Sequence, residues 1–256
     1  MGAGAECRLR LGAREGLSTT GAAETTAVEV VDLSETPLRE LNQRLHDLAG
    51  GVPGLRRWRV LNPNGAHAVA CGIDAEIEVE IQGHVGYYCA GMNKLATVRV
   101  HGNAGPGLAE NLMSGTVVVD GNASQSAGAT GRGGLLVVHG DAAARCGISM
   151  KGIDIVVRGS VGHLSGFMAQ TGRLVVCGDV GEALGDSIYE ARVYVRGTIA
   201  GLGADCVEKE QREEHVAELR ELLVRAGLDD VDPADFRRFG SARRLYNFDV
   251  DNAGAY

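Results

Sequence analysis

EVEIQG (Glu78 to Gly83), TVRVHG (Thr97 to Gly102), TVVVDG (Thr116 to Gly121), LLVVHG (Leu135 to Gly140), DIVVRG (Asp154 to Gly159), RLVVCG (Arg173 to Gly178) and RVYVRG (Arg192 to Gly197) recur every 19 residues. Each is a short, mostly apolar strand closed by glycine. One strand per fixed period of about 20 residues is the signature of a stacked solenoid, whose units bury their apolar faces only against their neighbours. Strand alternation puts Val98, Val117, Leu136, Ile155, Leu174 and Val193 in one column. Val100, Val119, Val138, Val157, Val176 and Val195 form a second column pointing the same way, and that face is the expected interior.

Beyond the glycine ladder runs a column of small apolar residues, Val85, Ala104, Ala123, Ala142, Val161, Val180 and Ile199, which predicts a second wall. Gly128, Gly147, Gly166 and Gly185, with Ala109 and Ala204 at the ends, repeat where the chain must turn again. The fold predicted is mainly β: a right-handed parallel β-helix of about seven 19-residue coils, spanning residues 75–206. Between the two buried columns the outward position reads Arg99, Val118, Val137, Val156, Val175 and Tyr194. An apolar ridge of that length is a covered surface, the cover being either the chain's own flanks or a partner.

The flanks break the period. Residues 1–26 lack pattern and read as a mobile tail. Residues 27–74 read as an αβ adaptor: a strand at Val28 to Leu33, a helix capped by Thr36 with Leu38, Leu41, Leu45 and Leu48 on one face and Gly50 and Gly51 at its end, then a strand at Trp58 to Leu61. Residues 207–256 read as a helical extension, with one helix over Glu208 to Ala226 closed by Gly227 and a shorter one from Asp232 toward Leu245.

The 256 residues carry a net charge of −8, which excludes a nucleic-acid backbone or an anionic membrane as the natural partner. No apolar run approaches the roughly 20 residues of a membrane helix. Arg8 and Arg10 break up Leu9 and Leu11 before a signal-peptide core can form. Six cysteines, Cys7, Cys71, Cys89, Cys146, Cys177 and Cys206, show no metal-ligand spacing. Cys89 and Cys146 share a column three coils apart, about 14 Å and too far for a disulfide. Free thiols place the chain in a reducing compartment, the cytoplasm.

Three groups could carry chemistry. His101 and His139 share an outward column about 10 Å apart, too far to bind one metal together. Asp120 and Asp141 are candidates for the paired carboxylates of a carbohydrate-active β-helix. His84, Tyr87, Tyr88 and Cys89 place a thiol near an imidazole, with no identifiable third member. Gly102 to Gly107 looks like a phosphate loop but has neither a lysine nor a helix after it. These spacings assign no catalytic, cofactor-binding or metal residue.

The blocks GNASQSAGATG (Gly121 to Gly131), GDAAARCGISMKG (Gly140 to Gly152), GSVGHLSGFMAQTGRLVVCG (Gly159 to Gly178) and GDVGEALGDSIYEARVYVRG (Gly178 to Gly197) resemble the glycine-repeat domain at the C-terminal end of glutamate synthase large subunits. The resemblance covers roughly residues 75–206 and implies a right-handed β-helix. The short N-terminal adaptor and the ending RRLYNFDVDNAGAY are similar to the stand-alone third subunit of that family, including that of N-methylglutamate synthase, also called methylamine-glutamate N-methyltransferase. The implied partners are an amidotransferase-like subunit and an FMN-binding subunit with an iron-sulfur cluster. The family's catalytic residues do not carry over: Gly2 stands where the amidotransferase would have its nucleophilic cysteine, and the cluster's grouped cysteines are missing. The resemblance therefore implies a scaffold without an active site or cofactor of its own. Two alternatives remain: a scaffold like the formylmethanofuran dehydrogenase chain that carries a similar glycine repeat, and a free-standing carbohydrate-active enzyme.

Overall fold

The computed structural model describes Met1, residues 28–49 and residues 57–242. The expected tail over 1–26, the helix stop at Gly50 and Gly51, Cys7, and the chain from 243 onward lie outside the described residues.

The seven hexapeptides form β3 (Glu78–Gln82), β4 (Thr97–Val100), β5 (Thr116–Val119), β6 (Leu135–Val138), β7 (Lys151–Val157), β8 (Thr171–Val176) and β9 (Arg192–Val195). Each pairs in parallel with the next, so that Glu78, Thr97, Thr116, Leu135, Asp154, Arg173 and Arg192 stand one above another. The two interior columns are fully buried from Val98 to Val195. The small-residue column forms the second wall as parallel bridges running Val85, Ala104, Ala123, Ala142, Val161, Val180 and Ile199. Together these make a β-solenoid of about seven turns.

The two glycine series have different causes. Gly128, Gly147, Gly166 and Gly185 hold φ between 63° and 69°, with Ala109 continuing the column at φ 54°. These are left-handed corners, where a missing Cβ removes a steric penalty. Ala204, expected to close the column, is not left-handed, and its neighbour Asp205 (φ 63°) turns the chain instead. Gly83 holds a positive φ of 133°, but from Gly102 onward the hexapeptide glycines are instead fixed by close approach. The Gly140 amide donates to the Gly121 carbonyl at 3.0 Å, and a Cβ on Gly140 would lie 2.7 Å from that oxygen.

The N-terminal elements extend the same sheet. β1 (Val28–Asp32) pairs in parallel with β2 (Arg57–Leu61), and β2 with β3. Helix α1 (Leu38–His46) buries Leu41 and Leu45 against the first coils, and Leu48, in the turn after it, is buried with them. Arg44 lies over the Trp58 ring, 5.1 Å from its centroid, and pairs with Glu29. Thr36 does not cap α1. Its amide is taken by the Asp32 carbonyl, and Pro37 occupies the cap position with no side-chain bond.

The C-terminal flank departs from expectation twice. Residues Cys206–Lys209 form β10, so the helix starts later, as α2 (Glu213–Arg225). The second helix, expected from Asp232 toward Leu245, is instead a single 3₁₀ turn over Pro233–Asp235 followed by β11 (Arg237–Ser241). Asp232 caps that turn through the Ala234 amide at 2.9 Å, but Phe236 is already extended at ψ 147°. The physical reason is pairing: β11 inserts antiparallel between β9 and β10, giving the sheet order β1 to β9, then β11, then β10. It satisfies the backbone of β9 and places Phe239 beside Val193 in the interior column.

Helix α2 and the segment after it cover the apolar ridge. Val137, Val156, Val175 and Tyr194 pack with Leu219, Leu222, Leu223, Leu228, Val231 and Phe236 in a second core outside the solenoid. The ridge is thus closed by the chain itself, except at Val118, which is partly buried, and Arg99, which is exposed.

Candidate functional site

The residue after each hexapeptide glycine forms an external polar ladder that sequence reasoning did not single out. His84 Nδ1 accepts from the Asn103 amide (2.9 Å), Asn103 Oδ1 from Asn122 (2.8 Å), and Asn122 Oδ1 from Asp141 (2.8 Å). Asp141 Oδ1 accepts from Ser160 (2.7 Å), Ser160 Oγ from Asp179 (2.9 Å), and Asp179 Oδ1 from Thr198 (2.8 Å). Every step spans one coil and satisfies an outward-facing amide. The signal was present in the sequence as H, N, N, D, S, D and T, since each member except the last must carry an acceptor.

This ladder decides the fate of several candidate residues. Asp141 is a rung in it, whereas Asp120 belongs to the column of His101 and His139. Asp120 accepts from Arg99 (2.7 Å) and contacts His101 Nδ1 at 2.7 Å. The two carboxylates are therefore engaged in different columns and do not form a pair. Burial raises the Asp120 carboxyl, but the His101 hydrogen bond and the Arg99 charge outweigh it and hold the group below the usual carboxylate range. His139, part-buried, is held below the ordinary imidazole value chiefly by desolvation, with Asp120 opposing and Arg99 and Arg158 adding to it. Among the described residues no three metal-ligating side chains converge.

His84 and Cys89 do not form a nucleophile and base. The His84 ring nitrogen is the first acceptor of the ladder, and Cys89 is fully buried with its thiol pushed up to about 12 by desolvation and by Cys71. Burial likewise raises Cys146 to about 12, and Cys177 and Cys206 to about 11. Thiols so far above neutrality carry little thiolate and are inert. Tyr87 stacks on His67, with ring centroids 4.6 Å apart, and its amide donates to His67 Nδ1 at 3.0 Å. The Gly102 to Gly107 run is explained by stacking: a Cβ on Gly102 would lie 2.7 Å from the Gly83 carbonyl, and one on Gly105 would lie 2.6 Å from the Gly86 carbonyl carbon.

A second group missed in the sequence lines a cleft of about 260 Å³ beside α2, formed by Asp154, Arg173, Arg192 and Glu218 with Gly152, Thr171, Gly172 and Glu190. Arg173 grips Asp154 with two bonds of 2.7 and 2.6 Å and donates to Glu218 at 2.8 Å. Arg192 donates to the other Glu218 oxygen at 2.7 Å. Asp154, Arg173 and Arg192 share one column, so the sequence held this clue. Their partner on α2 became visible only once the helix was placed. Glu218, held by Arg173 and Arg192, ties α2 to the sheet, while the bidentate Arg173–Asp154 pair braces two neighbouring strands.

No helix of the described residues is long and apolar enough to cross a membrane. No protein-family model matches the chain. Over 227 residues, 89% of this chain and 99% of the relative, it is 63% identical to Protein GlxC of Rhizobium meliloti (strain 1021). With that identity maintained over nearly the whole length of both proteins, the chain belongs to the GlxC family.

Proposed function

We propose that the chain is a non-catalytic structural subunit of a glutamate-synthase-like complex, holding an amidotransferase-like subunit and an FMN-binding, iron-sulfur subunit in fixed relation. One observation carries this reading. The polar residue that follows each strand glycine is engaged in a coil-to-coil bond, from His84 through Asp141 to Asp179. Such a surface stiffens a rod, and a rod whose buried thiols Cys89, Cys146, Cys177 and Cys206 are inert is suited to positioning other chains. The resemblance of the glycine blocks to the glutamate synthase domain supplies the partners. Within that class we assign it to N-methylglutamate synthase, in which the complex joins methylamine to glutamate and releases ammonia, with the flavin and the cluster held by the partners. The cytoplasm is the compartment this assignment requires.

Coexpression with the two partner subunits tests the proposal. A tagged chain is expected to retain both through size exclusion, with flavin absorbance in the same peak and N-methylglutamate formed only by the full set. Full activity of the two partners without this chain would overturn the scaffold role. Activity of the isolated chain on polysaccharide would return the reading to a carbohydrate-active enzyme.

A further inference from the structure

The first turn of α2 buries a single side chain, and it is a histidine. The buried residues of the helix are His215, Leu219, Leu222 and Leu223, while Glu213, Glu214 and Ala217 are exposed. His215 Nδ1 accepts the backbone amide of Arg212, the residue before the helix, at 3.1 Å. Glu or Gln is usual at this third position, reaching back to the same amide as half of a capping box. The Arg212 side chain carries donors only, so the histidine bond is the side-chain cap this helix start has.

An amide can be accepted only by an unprotonated nitrogen. The bond therefore fixes the ring as neutral with its proton on Nε2, and a second proton on Nδ1 would set a donor against a donor. The surroundings oppose that proton. Burial, then the charges of Arg238 from β11 and Arg192 from β9, hold the imidazole below its ordinary value, with Glu214 and Glu218 of α2 acting the other way. Glu218 is committed to Arg173 and Arg192 at 2.8 and 2.7 Å, and Arg212 shares Glu210 and Glu214 at 3.4 and 3.7 Å. The positive end of the helix dipole also disfavours a cation here.

The turn is held separately from what flanks it. Before it, Arg238 donates twice to the Glu210 carbonyl, at 3.0 and 2.8 Å, and Gln211 Nε2 donates to the Pro233 carbonyl at 3.1 Å. After it come the Glu218 pairs. Across Arg212 to Ala217, His215 supplies the one buried side chain. The helix starts beside β11 and β9 and ends where Arg225 approaches Asp154 of β7 at 3.7 Å, so its first turn lies at the Tyr194 end of the outer apolar layer.

We propose that His215 is a proton-operated latch: protonation breaks its bond to the Arg212 amide and releases the first turn of α2 from β9 and β11, while the Glu218 pairs keep the rest of the helix in place. Hydrogen exchange of the full chain, corrected for the intrinsic chemical rate, tests it at about pH 7.5 and about pH 5. A ring whose folded value is lowered keeps the latch closed above about 6.5 and opens it as pH falls from there through the folded value. The reporters are the amides of Arg212, His215 and Val216, which donate to His215 Nδ1 and to the Arg212 carbonyl. Their protection is expected to fall about five- to tenfold at the lower pH, the loss of one hydrogen bond, while α1 changes little. His67 and His84 also accept amides through Nδ1, at 3.0 and 2.9 Å, but are exposed on the first coils and are read at Tyr87 and Asn103. His215→Gln installs the usual non-titrating acceptor and should keep its protection at both pH values. His215→Asn, whose oxygen sits at the place of Nδ1 along the side chain, gives the same readout if the glutamine variant does not fold. Wild-type protection that is unchanged between the two pH values would overturn the latch, and so would an equal loss throughout α1. A folded Gln or Asn variant that loses protection as the wild type does would overturn it too, because another group would then be sensing the proton.

Discussion

Replacing Gly140 with alanine adds one methyl group at a tight point in the middle of the coil stack. That carbon would lie 2.1 Å from Asn122 Oδ1, 2.7 Å from the Gly121 oxygen and 2.9 Å from the Gly121 carbonyl carbon. The Gly121 carbonyl cannot yield, because it accepts the Gly140 amide at 3.0 Å. The Asn122 side chain can swing away, but only by giving up the Asp141 amide it accepts at 2.8 Å. The lost bond costs about 1 kcal/mol, and forcing two coils apart costs about 1–3 kcal/mol. The expected total is roughly 2–4 kcal/mol, which in a chain of this size lowers the melting temperature by about 5–15 °C. Gly65→Ala is the control: its φ is +74° with nothing within 4 Å of the added carbon, so it bears only the left-handed penalty of about 1 kcal/mol. Chemical denaturation of Gly140→Ala, Asn122→Ala and the double variant checks the mechanism. Removing the Asn122 oxygen relieves the shortest contact, so the two changes should cost less together than their sum. A Gly140→Ala protein as stable as Gly65→Ala, or strictly additive changes, would refute the stacking account of the ladder.

Val156→Asp places a carboxylate in the fully buried layer beneath α2, at an expected cost of several kcal/mol; a far-ultraviolet melt should show lost cooperativity. Tyr194→Phe removes a buried hydroxyl that has no hydrogen-bond partner among the described residues, so its melting temperature should hold or rise, and a clear fall would reveal a partner for that group. In a Cys7→Ser background a thiol reagent should modify Cys71 alone in the native protein, and the buried Cys89, Cys146, Cys177 and Cys206 only after unfolding. His139 and His215 are held below 6.5 chiefly by burial, so the folded chain binds fewer protons than the unfolded one. Their contribution is present above about 6.5 and lost as pH falls from there through the folded values; the denaturation midpoint should therefore drop between about pH 7 and 5, and His139→Gln/His215→Gln should flatten that drop.

What could be read from the sequence was whatever repeats along the chain. The interior columns, the second wall and the corner glycines follow from a single period, because each residue's environment is set by its own copies 19 positions away. The apolar character of Val137, Val156 and Val175 was equally legible, and so was the need for something to cover it. The cover itself was not legible as a contact, because Leu219, Leu222 and Leu223 reach that layer across a separation no periodicity encodes. The turn at Asp232 illustrates the limit from the other side. Its capping chemistry is real, yet it leads into a strand, because the open edge of β9 needs a partner and Arg237–Ser241 can supply its backbone.

The ladder after the glycines shows how much a column can hold once the register is known. Its side chains differ in charge and size, from His84 through Asn122 to Ser160, so residue type alone does not mark them as one set. Their shared property is an acceptor atom one coil below an outward amide. That requirement explains why a chain with many exposed polar residues brings few of them together for chemistry: stacking at one strand per coil leaves an amide to satisfy at every turn, and the polar residue nearest each glycine is committed to it. The residues free of that duty lie on the corners. There Tyr88, Met92 and, several coils further on, Met168 stand exposed on left-handed backbone that the turn imposes on every coil, not on the first alone.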